Sequence, residues 1–70
     1  MEKLIAIIEK LENDFKDLDL NNQEAKDFFK DRSSLLIPTI AISKKAEHNF
    51  IHIDLLDSLE IRVIKIISQL

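Results

Sequence analysis

Two histidines, His48 and His52, are the residues whose type and spacing best suit metal chemistry. They are four positions apart, which on a helix would place both imidazoles on one face, as in metal-binding histidine pairs. No third ligand is apparent, because the next positions on that face are Leu55 and Leu56. The pattern therefore predicts two polar residues at the margin of a core, with a His48–His52 metal pair as the minor alternative.

Carboxylates spaced three apart could in principle act as paired acids or as metal ligands. Glu9 and Glu12 have this spacing, and so do Asp14 and Asp17. A di-iron helical bundle would also need a Glu-x-x-His unit, and the sequence contains none. We therefore interpret these residues as a solvated helix face, supported by pairs such as Glu12 with Lys16.

The nucleophiles of the chain are its serines, since it has no cysteine. None of them lies in a Gly-x-Ser-x-Gly elbow, and a chain without glycine cannot easily build that turn or a loop that cradles phosphate. We expect no catalytic residue, no cofactor and no enzymatic activity. The serines are Ser33, Ser34, Ser43, Ser58 and Ser68.

Two amphipathic helices are predicted in the first half of the chain. Over residues 2–17 the apolar side chains recur at helical spacing, and charged residues occupy the other side. Asn21 is the predicted cap of a second helix over residues 22–35, with Glu24 completing a variant of the capping box. A short polar connection between two helices favours antiparallel packing. The apolar positions of the first helix are Leu4, Ile8, Leu11, Phe15 and Leu18.

The stretch that follows Pro38 is ambiguous from sequence. Pro38 disfavours helical geometry at the residue before it and cannot occupy a helix interior without a kink. One reading is a third helix over about residues 39–48. The alternative is a β-hairpin at about 39–43 and 49–54, because both segments alternate and isoleucine favours strands. The lack of glycine and of a tight-turn dipeptide counts against the hairpin.

The last segment, residues 57–70, is predicted to be a helix with Asp57 as its cap and Glu60 reaching back to it. Apolar residues cover most of its circumference, so it should be buried in a core or in an interface. We refer to its regularly spaced apolar positions as the C-terminal seam, and we predict that the seam is an interface. The C-terminal seam consists of Leu56, Leu59, Val63, Ile66 and Leu70.

The length indicates one small domain over residues 1–70, and the apolar spacing predicts that it is all-α, a bundle of three to four helices completed by oligomerisation. Of its 70 residues, 46% are hydrophobic and 33% charged, and the net charge is −3. A chain of this length buries only about 60% of its unfolded surface, so its stability is marginal. We expect a cytoplasmic protein-interaction module that binds itself, as a dimer, or another helical protein.

A small transcriptional or toxin–antitoxin regulator that dimerises and contacts DNA is the alternative function. Phosphate binding requires several unopposed cations on one face. The lysines of the second helix alternate with Asp27 and Asp31, and Glu47 follows the pair Lys44 and Lys45. Nucleic acid is therefore an unlikely partner. The C-terminal helix also lacks the basic face that anionic membranes attract.

Overall fold

A computed structural model describes residues 2–70 of the chain. The described part is all-α, as the apolar spacing predicts, and forms a small bundle of four helices. They are α1 (Glu2–Lys16), α2 (Gln23–Ser34), α3 (Leu36–Ala46) and α4 (Phe50–Ser68).

The central element is α4, which contacts each of the other three helices. Ile8 of α1 and Ile40 of α3 join residues of α4 in the larger core cluster. A second cluster brings Leu11 of α1 and Phe29 of α2 onto Ile66, near the end of α4. Since α4 is the helix with the widest apolar surface, its central place follows directly from its sequence.

The helices α2 and α3 follow one another with only Leu35 between them, and Leu35 itself keeps helical backbone angles. Pro38 explains why the helical hydrogen bonds are interrupted here. It has no N–H to donate to the carbonyl of Ser34, four residues earlier, and its ring crowds that carbonyl. Pro38 therefore lies in the first turn of α3, where a missing donor costs least. The two helices run along α4 in the direction opposite to it, since Phe29 packs near Ile66 while Lys44 reaches Asp57.

The caps of α2 and α4 differ from the predicted ones. Asn22, one residue after the predicted Asn21, caps α2 by accepting a hydrogen bond from the backbone N–H of Ala25 at 3.1 Å. Asn49 caps α4 by accepting from the backbone N–H of Ile51 at 2.9 Å. The prediction that Asp57 begins the last helix was wrong, because α4 starts seven residues earlier and Asp57 lies inside it.

The β-hairpin alternative is not supported. Residues 39–43 lie within α3 and residues 50–54 within α4, and the described residues contain no strand. Isoleucine favours strands only where a pleated, half-buried surface exists for it to pack on. Here Ile40 is fully buried in the helical core. The backbone hydrogen bonds are made within the helix, so no sheet is needed to satisfy them.

The described fold is elongated, with principal dimensions of 42 × 18 × 16 Å. Its radius of gyration is 12.8 Å, whereas a compact domain of this length has a value of about 11 Å. Its accessible surface is 5053 Å², against about 4,500 Å² for a typical monomer of its mass. The chain therefore exposes more surface than a compact monomer would. Within residues 2–70, no helix is long and apolar enough to cross a membrane.

Candidate protein-interaction surface

The C-terminal seam lies in the chain's own core. Its first four members are between 0% and 5% exposed, and they pack against α1, α2 and α3. Leu70 is half-buried on the cluster around Leu11, Phe29 and Ile66. The buried members thus have almost no free surface in the folded chain, and a partner would have to displace a helix to reach them.

His48 and His52 are not on one helix face, because His48 precedes α4 in the loop after α3. The Nδ1 atom of His52 lies 3.2 Å from a carboxylate oxygen of Glu47. Glu47 also accepts hydrogen bonds from the backbone N–H groups of His48 and Asn49, both at 3.0 Å. These bonds, the one from Asn49 foremost, lower the pKa of the Glu47 carboxyl. The hydrogen bonds to Glu47 order the loop between α3 and α4. Among residues 2–70 no group of three or more histidines and acids is placed to hold a metal ion.

Two ion pairs tie α4 to its neighbours. Arg62 donates from both Nε and a terminal nitrogen to the carboxylate of Glu12, with Nε 3.1 Å from Oε2. The Arg62 hydrogen bond lowers the pKa of Glu12. On the other side of α4, the Nζ atom of Lys44 is 2.7 Å from Asp57 and 3.7 Å from Glu60. Both cations are thereby engaged by carboxylates and are poorly placed to bind phosphate.

A cleft of about 320 Å³ opens between α1 and α4, close to the ends of both helices. Phe15 and Ile66 line it with apolar surface, and Lys16 and Lys65 add positive charge. Both lysines lie in the last turn of their helices, where a cation stabilises the negative end of the helix dipole. Helix-end stabilisation accounts for these charges, so the cleft does not indicate a ligand.

Large apolar side chains are exposed on the outer side of α2 and α3. Phe28 is 66% exposed, Leu35 69% and Ile42 68%. The three are spaced by seven residues each, which keeps them on one side of a helix over about 21 Å of its length. We call this set the exposed row. Two charged residues, Asp31 and Arg32, lie between Phe28 and Leu35 on the same side. Exposed apolar surface of this kind is a common feature of interaction sites.

A second exposed apolar set lies on the outer face of α4. It comprises Phe50, which is 82% exposed, together with Ile61 and Ile64. Asp54 and Asp57 occupy the same face, so carboxylates separate Phe50 from the two isoleucines. A carboxylate, Asp57, thus stands at the centre of the α4 set, whereas the centre of the exposed row is the apolar Leu35.

Sequence reasoning missed the exposed row because helical spacing alone does not show which of two adjacent apolar residues faces inward. Two adjacent phenylalanines, Phe28 and Phe29, cannot both face inward on a helix, since successive residues are turned by about 100°. The structure buries Phe29 and exposes Phe28. The seven-residue spacing of Phe28, Leu35 and Ile42 is visible in the sequence, but only the packing of the bundle shows that this side faces outward.

Comparison of the chain with protein-family models, with curated proteins and with solved structures finds no match.

Proposed function

We propose that this chain is a non-enzymatic protein-interaction module that oligomerises by covering its exposed apolar surface with a second copy. The observation that carries the proposal is the exposed row, in which Phe28, Leu35 and Ile42 each leave about two-thirds of their surface in water. Burying such side chains contributes about 1.5–3 kcal/mol each when burial is complete. The apolar surface that remains exposed after folding therefore favours association.

The dimensions of the chain support the same proposal. An elongated bundle with more accessible surface than a compact monomer of its mass has a broad flank on which a second chain can lie. A stable interface needs about 800 Å² from each partner. The outer side of α2 and α3 runs over 24 consecutive positions including Leu35, and at about 1.5 Å per residue it is long enough to provide such a face.

Thermal unfolding at several protein concentrations tests the proposal. Association stabilises the folded state by mass action, so the unfolding midpoint should rise as the concentration increases from about 5 to about 500 micromolar. A midpoint that is independent of concentration over this range, together with a constant 8.1 kDa mass, would contradict self-association.

A further inference from the structure

We infer that two copies of the chain pair antiparallel along their exposed rows, with a twofold axis beside Leu35. This inference rests on the proposed function and adds the orientation of the two copies and the register in which their rows meet. In such a dimer Leu35 meets its own counterpart, and Phe28 of each copy meets Ile42 of the other.

The spacing of the exposed row is symmetric. Phe28 lies seven residues before Leu35, and Ile42 lies seven residues after it. An isologous interface uses the same patch on both copies, so each position must find a suitable residue at the mirrored position. The mirrored positions within the row are all large and apolar. Two charged residues, Asp31 and Arg32, lie beside the row, and their mirrored positions are the uncharged Thr39 and Pro38.

The charges beside the row decide between antiparallel and parallel pairing. Glu24 lies four residues before Phe28, and Lys45 lies three residues after Ile42; both are exposed. Antiparallel pairing brings Glu24 of one copy close to Lys45 of the other, at both ends of the interface. Parallel pairing would instead place Glu24 against Glu24 and Lys45 against Lys45, which is repulsive. Charge complementarity therefore favours a second copy in the antiparallel orientation.

The α4 outer face is a poorer surface for self-pairing. Asp57 lies midway between Phe50 and Ile64 on that face, and Asp54 lies beside them. A twofold axis near the middle of this face brings carboxylates of the two copies together. This face therefore serves as a comparison surface in the experiment.

The absence of cysteine from the sequence permits a disulfide test with single substitutions. We expect Leu35→Cys to form a covalent dimer under mild oxidation. Phe28→Cys and Ile42→Cys should cross-link efficiently when mixed and much less when each is alone. Ile64→Cys, on the α4 face, is the matched control and should cross-link no faster than it does in urea.

Each other outcome overturns a defined part of the inference. Efficient cross-linking of Phe28→Cys with itself would overturn the antiparallel register centred on Leu35. Cross-linking of Ile64→Cys without that of Leu35→Cys, in a chain whose unfolding midpoint rises with concentration, would move the interface to α4 and leave the proposed function standing. A midpoint independent of concentration, with no specific cross-link, would overturn both.

A charge exchange provides a second readout that requires no cysteine. Glu24→Lys alone should weaken the dimer about tenfold, because a lysine would then face Lys45 of the other copy, and Lys45→Glu alone should do the same. The double variant should restore the affinity. If the double variant is as weak as the sum of the single changes, Glu24 and Lys45 do not face each other and the antiparallel register is wrong.

Discussion

The guanidinium of Arg62 in α4 makes a two-point hydrogen-bonded ion pair with the carboxylate of Glu12 in α1, fifty residues earlier in the chain. This pair joins the two helices beside the core cluster that contains Leu11 and Ile66. Both side chains are about one-third exposed, so water screens the attraction. The pair thus orients α1 on α4 more than it stabilises the fold.

Glu12→Gln should lower the free energy of unfolding by about 0.2–1 kcal/mol at neutral pH, the range of exposed ion pairs. The arginine hydrogen bond holds the pKa of Glu12 below its ordinary 4.5. The ion pair therefore contributes to the free energy of unfolding above about pH 4.5. This contribution is lost as the pH falls through the lowered pKa that Glu12 has in the folded chain. Urea unfolding of the natural chain and of Glu12→Gln at pH 7 and pH 3 measures this contribution. A difference in unfolding free energy between the two proteins that is the same at pH 3 as at pH 7 would contradict the prediction.

The cap of α2 provides a matched pair of adjacent asparagines. Asn22→Ala should lower the free energy of unfolding by about 1 kcal/mol, because the backbone N–H of Ala25 then loses its acceptor. Asn21→Ala should cost much less, since the Asn21 backbone N–H, which bonds to Asp19, is retained. Chemical denaturation of the two variants compares them. Equal losses would show that the cap is misassigned.

Two isoleucines of α4, two residues apart, distinguish core from surface. Ile66 is 5% exposed and Ile64 is 48% exposed. Ile66→Asp should unfold the chain, because burying an unpaired carboxylate in the core costs more than the free energy of unfolding of a 70-residue domain. Ile64→Asp should retain helical circular dichroism. A folded Ile66→Asp protein that is merely monomeric would instead indicate that the C-terminal seam is an interface between chains.

Ser33 is a fully buried polar residue, and its hydroxyl donates to the carbonyl of Phe29 at 2.8 Å. The small side chain lets α2 approach its neighbours closely. Ser33→Ala should change the free energy of unfolding by less than about 1 kcal/mol, since the Phe29 carbonyl keeps its backbone hydrogen bond in the helix. Ser33→Leu should cost about 1–3 kcal/mol by overpacking. If the leucine variant is as stable as the alanine variant, the packing around Ser33 is looser than the structure indicates.

The helical class, the first two helices and the buried character of the C-terminal seam could be predicted because each rests on periodic apolar spacing. Element boundaries were less predictable. Asp57-Ser-Leu-Glu60 matches a capping signature, yet in the fold Asp57 pairs with Lys44 of α3. That pairing is a tertiary contact, and no local pattern encodes it.

The candidate site was harder to predict than the fold. A wide apolar stripe can be buried by a partner or by the chain itself, and which occurs depends on where the other helices pack. Three helices cover the C-terminal seam, whereas Phe28, Leu35 and Ile42 are among the large apolar side chains that remain exposed. Only the assembled bundle distinguishes Phe28 from its buried neighbour Phe29.

The central claim is that the chain associates through the exposed row, and sedimentation equilibrium of the natural chain beside Leu35→Asp tests it most directly. Leu35 is 69% exposed, so the substitution should not unfold the bundle. We predict twice the 8.1 kDa chain mass for the natural protein at micromolar concentration and a single chain mass for the variant. An 8.1 kDa natural protein, or a Leu35→Asp variant that remains dimeric, would contradict the account.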